Sequence, residues 1–281
     1  MGRGRIADAV KAGRILVSDG AWGTFLQKKG LRPGECPELW CLEKPDDVLD
    51  IAKSYVAEGV DMIETNSFGA SRFKLKKYGL INKVSEINEA AARISRKAAG
   101  DSVWVIASVG PTGEMLITGD VSEEELFDGF REQAVALERG GADAVCIETM
   151  SAVDEACLAI QAAKECTRLE VICTFTFEQT VRGDFRTMMG IAPAEAARAA
   201  VAAGADIVGA NCGNGMERMV TVVKEMRSVL PGIPILVHAN AGLPILVDGV
   251  TVFPEKPHDT ASLIPAVLDA GANIVGGCCG T

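Results

Sequence analysis

Aromatic side chains are scarce in this chain: Phe, Trp and Tyr together make up 5% of its 281 residues. That leaves little material for an aromatic cage around a quaternary ammonium or sulfonium group, although Trp22, Phe25 and Phe68 are available to line a mouth. Positive charge is also in deficit. The formal net charge is −10, which argues against nucleic acid and anionic membrane surfaces as partners, since both select for clustered Lys and Arg. The one short basic stretch, Arg72, Lys74, Lys76 and Lys77, reads as a solvated helix face. Long hydrophobic runs are missing, and the N-terminus, MGRGRIADAVKAGRI, lacks the apolar core of a signal peptide. A cytoplasmic location is expected. Histidine occurs twice. His238 sits in an apolar strand, where a hydrogen-bonded core residue is expected rather than a ligand, and His258, beside Pro257, is expected to be exposed.

What the chain does have is 48% hydrophobic residues and 30 glycines, enough for one large α/β domain over residues 1–281. Nine cysteines form an odd set, and Cys146 in AVCIET and Cys173 in VICTF lie in strand-like apolar runs. Reduced thiols are expected, with Cys146, Cys157, Cys166 and Cys173 acting as small buried hydrophobes. Cys36 and Cys41, in GECPELWC, have the gap of a metal knuckle but no second pair, so a loop role is favoured.

Four segments read alike: EGVDMIETN (58–66), GGADAVCIETM (140–150), AGADIVGANC (203–212) and AGANIVGGCC (270–279). In each, a glycine ends a helix (Gly59, Gly141, Gly204, Gly271), Asp or Asn follows, and a short apolar run has strand composition. Between them lie four more strands: RILVSDG (14–20), VWVIASVG (103–110), EVICTFTF (170–177) and PILVHANAG (234–242). The connections carry helical spacing, as in SEEELFDGFREQAVALERG (122–140) and PAEAARAAVAAG (193–204). Eight strands alternating with helices predict a (β/α)8 barrel, with an open doubly wound sheet as the alternative.

A barrel builds its active site at the C-terminal ends of its strands. Those ends carry Asp19, Glu64-Thr65-Asn66, Ser108, Glu148-Thr149, Phe177-Glu178, Asn211-Cys212, Asn240 and Cys278-Cys279. Adjacent residues of a regular strand face opposite ways, so Cys278 and Cys279 can converge only where the chain turns, as Gly276, Gly277 and Gly280 permit. With Cys212 two strands away, three thiolates can meet at one point. Zn²⁺ prefers sulfur in tetrahedral geometry, and three protein ligands with an open fourth position form a catalytic pattern. A phosphate-handling barrel is a further reading of the glycine-rich last loop, but cysteines there suit a metal better.

The ordered set DGAWGT (19–24), ETNSFGASR (64–72), SVGPTGE (108–114), ETM (148–150), GANC (209–212), NAGLP (240–244) and GGCCGT (276–281) resembles the homocysteine S-methyltransferase family over nearly the whole chain. The likeness is strongest to the homocysteine-binding module of its cobalamin-dependent branch. The resemblance implies a zinc-dependent methyltransferase of methionine biosynthesis that uses homocysteine, with Cys212, Cys278 and Cys279 as catalytic zinc ligands. A coordinated thiol loses its proton, and soft thiolate ligands keep electron density on the reacting sulfur.

By the same resemblance Asp19 and Glu148 bind the substrate's amino group; a turn residue and a salt-bridge partner are the alternatives. The turn from Gly20 and Ala21 to Thr24 offers backbone N–H groups. Asn240 resembles a residue whose side-chain oxygen can take zinc's fourth position, and Asn66, Ser108, Thr149 and Asn211 orient loops and ligands. The opening DGAWGT resembles the corrinoid-linked branch, implying a methylcorrinoid donor, free methylcobalamin or one carried by a partner protein. Onium donors (betaine or S-methylmethionine) and a non-catalytic zinc-binding subunit are the alternatives. Family members continue after GGCCGT into a last helix. Its absence is expected to bare Ile274 and the region from Ile15 to Val17, inviting cover by a second copy, a partner or the amphipathic leader Ile6–Arg14.

Overall fold

The computed structural model describes residues 4–247 and 250–281. Five strands come first: β1 (Leu16–Val17), β2 (Met62–Glu64), β3 (Trp104–Val109), β4 (Ala144–Met150) and β5 (Glu170–Phe175). A short antiparallel hairpin follows, β6 (Glu178–Gln179) with β7 (Phe185–Arg186), and then β8 (Ile207–Gly215) and β9 (Ile235–Asn240). A second hairpin pairs β10 (Ile245–Val247) with β11 (Val250–Val252), before β12 (Ile274–Gly277). The eight-stranded sheet runs β1-β12-β9-β8-β5-β4-β3-β2, with every pairing parallel. Its two ends meet through a Ser18–Met62 bridge, and Asp61 N–H donates to Val17 O at 2.8 Å. That closure makes the sheet a (β/α)8 barrel and excludes the open alternative.

The repeated segments behave as the spacing predicts. Gly59, Gly141, Gly204 and Gly271 all have φ between +84° and +114°, the left-handed conformation that lets a helix stop and the chain re-enter the sheet. The polar residue after each glycine has a role that the pattern did not reveal. Asp61, Asp143, Asp206 and Asn273 accept, through their side chains, the backbone N–H of Val17, Val105, Val171 and Ile235, at 2.8–3.0 Å. In return each donates its own N–H to the carbonyl of that same residue at 2.8–2.9 Å. The device stitches each even-numbered barrel strand to the one before it, satisfying backbone groups at the sheet's N-terminal edge. A cation braces every copy: Arg14 on Asp61, Arg96 on Asp143, Lys164 and Arg5 on Asp206, and Arg227 on Asn273.

Inside the barrel, Leu16, Met62, Trp104, Ile106, Ala144, Cys146, Ile172, Ile207, Leu236 and Ile274 form one buried cluster. The leader joins it. Helix Ile6–Lys11 turns Ile6, Ala7 and Val10 into this cluster and closes the barrel's lower end, while Glu170 accepts the N–H groups of Ile6 and Ala7 at 2.7 and 2.9 Å. The leader is therefore a plug and does not cover the flank of β1. Ile274, expected to be bare, is fully buried, because strand alternation points it inward. Ile15 and Val17 are exposed as expected.

Cys146 and Cys173 are buried strand residues, but Cys157 and Cys166 are half-buried on helix Val153–Cys166. The helix predicted over 122–140 spans Glu123–Arg139 and starts in a capping box formed by Ser122 and Glu125. His258 is exposed. Neither hairpin was anticipated. No helix among the described residues is long and apolar enough to cross a membrane.

Candidate active site

At the C-terminal end of the barrel the three sulfur atoms of Cys212, Cys278 and Cys279 lie within 4.8 Å of one another. Their convergence is built by backbone geometry. Cys212 has φ +58° and Gly213 φ +68°, a left-handed pair that breaks the β8–β9 register between Asn211 and Gly215. A non-glycine residue rarely holds that conformation. Here it is secured on both sides, by Thr176 Oγ1 donating to Asn211 O at 2.9 Å and Asn214 Nδ2 donating to Phe177 O at 2.6 Å. Beyond β9, at the end of β12, Cys278 N–H donates to Ala239 O at 2.7 Å and Cys279 N–H to Asn240 Oδ1 at 3.1 Å. Gly276 lets this segment approach, since a Cβ there would lie 2.8 Å from both His238 and Ser18.

Hydrogen bonds from Cys278 and Cys279 hold the Cys212 thiol well below its ordinary value, helped by Gly213 N–H and the Asn240 amide. The hydrogen bonds to Cys212 push the Cys278 and Cys279 thiols up. Three soft donors at this spacing match the ligand set of a thiophilic divalent cation.

The thiols share a cavity of about 270 Å³ with Gly20, Ala21, Trp22, Glu64, Asn66, Phe68, Ser108, Glu148, Thr149 and His238. Glu148 accepts from Ser108 Oγ and, at 3.3 Å, from Asn211 Nδ2; burial, then the charge of Glu64, pushes its carboxyl up. Thr149, with φ +61°, is held by Asn211. Asn66 faces the cavity while its amide donates to Pro37 O at 2.8 Å.

Three expected residues sit differently. Asp19 does not line the cavity: its carboxylate accepts Trp22 Nε1 at 2.9 Å, Glu64 N–H at 2.7 Å and Ser18 Oγ at 3.1 Å. Ala21 N–H is taken by Thr281 Oγ1 at 3.1 Å. Asn240 spends its side-chain oxygen on Cys279 N–H.

Among the residues outside the expected binding set that line the cavity are three titratable ones, Glu38, Glu64 and His238. Glu64 ends β2, and His238 lies 3.4 Å from it through Nδ1. Both retain a buried atom without a hydrogen-bond partner, Glu64 Oε1 and His238 Nε2. The ETN strand end was the available signal for Glu64. The apolar neighbours of His238 hid the inward direction of its ring. Cys36 and Cys41 stay apart from the cluster, donating to Glu38 Oε2 and Asn66 O; Cys36 lies in a loop as expected, whereas Cys41 lies in the short helix Trp40–Glu43. Phe25 packs edge-on against Tyr55 and is absent from the cavity wall.

A family model described as homocysteine S-methyltransferase matches residues 16–281. The methionine synthase of Mycobacterium leprae is 30% identical over 289 residues, covering 96% of this chain and 24% of that protein. The methionine synthase of Mycobacterium tuberculosis is 28% identical over 282 residues, with 95% and 24% covered. The chain thus spans about a quarter of the length of these relatives. Among solved structures, the metallated homocysteine methyltransferase MmuM from Escherichia coli superposes with TM-score 0.79 at 22% identity, covering 98% of this chain and 94% of that one. The carboxyl transferase domain of Rhizobium etli pyruvate carboxylase reaches 0.55 at 16% identity, over 97% of this chain and 41% of that one. Both likenesses speak to the barrel fold.

Proposed function

The chain belongs to the homocysteine S-methyltransferase family, and on that premise we propose that it methylates the sulfur of homocysteine to give methionine, on Zn²⁺ held by Cys212, Cys278 and Cys279. The observation that carries this reading is the meeting of three sulfurs in one cavity with buried carboxylates. When bound, the metal supplies the Lewis acidity that keeps an incoming thiol ionised at neutral pH, where a free thiol of pKa near ~8.5 stays mostly protonated.

The protein's own residues do the rest. Cys212, Cys278 and Cys279 would hold the metal at the cavity wall. Asn240 ties the last two strands together by accepting Cys279 N–H and bonding Cys212. Ser108 and Asn211 fix the Glu148 carboxylate on the cavity wall. In the transfer the sulfur lone pair forms the S–CH₃ bond, the donor–CH₃ bond breaks with its electron pair left on the donor, and the thiol proton goes to solvent. A methylcorrinoid, free or protein-bound, is the donor in this reading.

Zinc-loaded protein supplied with methylcobalamin should convert homocysteine, but not homoserine, which differs only in carrying oxygen for sulfur. Zinc-loaded protein that produces no methionine, or methylates both acceptors alike, would overturn the reading.

A further inference from the structure

Two glycines beside the thiol cluster are not explained by backbone conformation. Gly20, after β1, and Gly277, at the end of β12, both line the cavity, and neither has positive φ. What they share is one neighbour. A Cβ on Gly20 would stand 2.5 Å from Thr281 Oγ1, and a Cβ on Gly277 would strike the same oxygen. The space that two side chains would take is left to a single hydroxyl.

That hydroxyl works in both directions. It donates to Cys278 O at 2.7 Å and accepts Ala21 N–H at 3.1 Å, while Tyr55, on helix Pro45–Ala57, donates its own hydroxyl to Ala21 O at 2.9 Å. A continuous path therefore runs from a helix, through the cavity wall, to the turn that carries two thiols. The other side of this turn is tied to β9, where Cys278 and Cys279 donate to Ala239 O and Asn240 Oδ1, and Ala241 N–H donates to Cys279 O at 3.0 Å. On the β1 side Gly277 N–H donates to Asp19 O at 2.8 Å, and the tie beyond it passes through Thr281. Thr281 is exposed, so loss of its hydroxyl would hollow no core.

We propose that Thr281 is a positioning residue, whose hydroxyl clasps the Cys278–Cys279 turn to the Gly20–Ala21 wall and so holds two of the three sulfurs ready for the metal. The inference rests on the zinc reading above and deepens it, by naming what fixes those ligands on the β1 side. The need for a clasp follows from the local sequence. Gly276, Gly277 and Gly280 surround the two cysteines, and each glycine adds backbone freedom that metal binding must otherwise remove. The Cys278 carbonyl belongs to the peptide unit that joins Cys278 to Cys279. A bond to that oxygen therefore restrains both ligands at once. Groups that orient ligands without touching the metal are worth about 10–100-fold in metal affinity.

The test measures Zn²⁺ affinity by competition with a chromophoric chelator, and the visible spectrum of the Co²⁺-loaded protein, for wild type, Thr281→Val, Thr281→Ser and Gly20→Ala. Circular dichroism is recorded on each. Thr281→Val keeps the shape and removes the hydroxyl; it should lower zinc affinity about tenfold and alter the cobalt–thiolate bands. Thr281→Ser, which keeps the hydroxyl, should restore both to the wild-type values. Gly20→Ala reaches the same clasp from the other side, since its Cβ expels the hydroxyl, and it should weaken zinc binding with Thr281 itself intact. It also carries the test should the Val variant not fold. Zinc affinity unchanged in either folded variant, or a Ser variant as weak as the Val one, overturns the proposal. Wild type that binds no zinc overturns the functional reading itself, and this inference with it.

Discussion

Asn211 grips Thr149 twice: its Oδ1 accepts the Thr149 N–H at 2.8 Å and its Nδ2 donates to the Thr149 hydroxyl at 2.8 Å. Thr149 and Cys212, the latter adjacent to Asn211, are the two non-glycine residues with positive φ among those described. Asn211 also accepts Thr174 Oγ1 at 2.7 Å and reaches Glu148 at 3.3 Å. One fully buried amide therefore ties the ends of β4, β5 and β8.

Asn211→Ala leaves several of these buried groups without partners, at about 1–3 kcal/mol for each unsatisfied group. We expect a loss of about 3 kcal/mol in urea unfolding, together with weaker zinc binding because the left-handed turn at Cys212 loses its brace. A loss below about 1 kcal/mol would mean that the network relaxes around the cavity left by the amide.

For the metal site, Cys212→Ala, Cys278→Ala and Cys279→Ala should each lower zinc affinity by more than about 100-fold, and Asn240→Ala by about 10–100-fold, the range for residues that orient ligands. Cys166→Ala, on a helix remote from the cluster, should leave zinc content unchanged. Metal analysis after dialysis against a chelator decides the matter. Full occupancy in any one of the three variants removes that cysteine from the ligand set.

Much of this was legible in the sequence because the features are periodic or local. Helix-ending glycines, strand-length apolar runs and the helical spacing of 122–140 each follow from short-range chemistry, and together they place Cys212, Cys278 and Cys279 on one rim. What stayed hidden depends on partners distant in the chain. Asp19 and Glu64 both end strands and both are acidic. Only the fold shows that Trp22 and the Glu64 backbone occupy the first, while the second faces the cavity beside His238. The orientation of Ile274 is likewise a matter of register, since a shift of one residue reverses the face it presents.

The stitch at Asp206 gives a stability prediction with a definite pH sign. Burial raises this carboxyl, but the Val171 N–H at 2.9 Å, Lys164 at 3.0 Å and Arg5 at 2.6 Å outweigh burial and hold it below the ordinary value. A carboxyl lowered on folding contributes stability that is complete above its unfolded pKa and is lost as the pH falls through the folded one. Asp206→Ala should therefore cost about 2 kcal/mol near pH 7, and the gap to wild type should narrow below about pH 4. Asp206→Asn should cost less, because Asn273 performs the same stitch with an amide oxygen. Urea unfolding across this pH range reads both effects, and an Ala variant whose deficit grows on acidification would contradict the assignment.

The donor remains to be chosen by chemistry, and the cavity wall supplies the argument. Binding an onium methyl group takes several aromatic faces around one cation, each worth about 0.5–2 kcal/mol. Here Trp22 and Phe68 line the cavity; Phe25 is turned away onto Tyr55, and the Trp22 indole N–H is fastened to Asp19. Two faces on the neighbouring segments that follow β1 and β2 do not enclose a quaternary ammonium. Phe68, Met115, Ile117, Met188 and Leu246 are instead exposed on the loops that follow the barrel strands, offering an apolar rim suited to a large, flat donor. With homocysteine as acceptor and zinc-loaded protein, methylcobalamin should outpace betaine and S-methylmethionine by more than about tenfold, the equivalent of one lost cation–π contact or more. Faster transfer from either onium donor would place the chain in a different branch of its family and show that the cage is completed by residues other than these two aromatics.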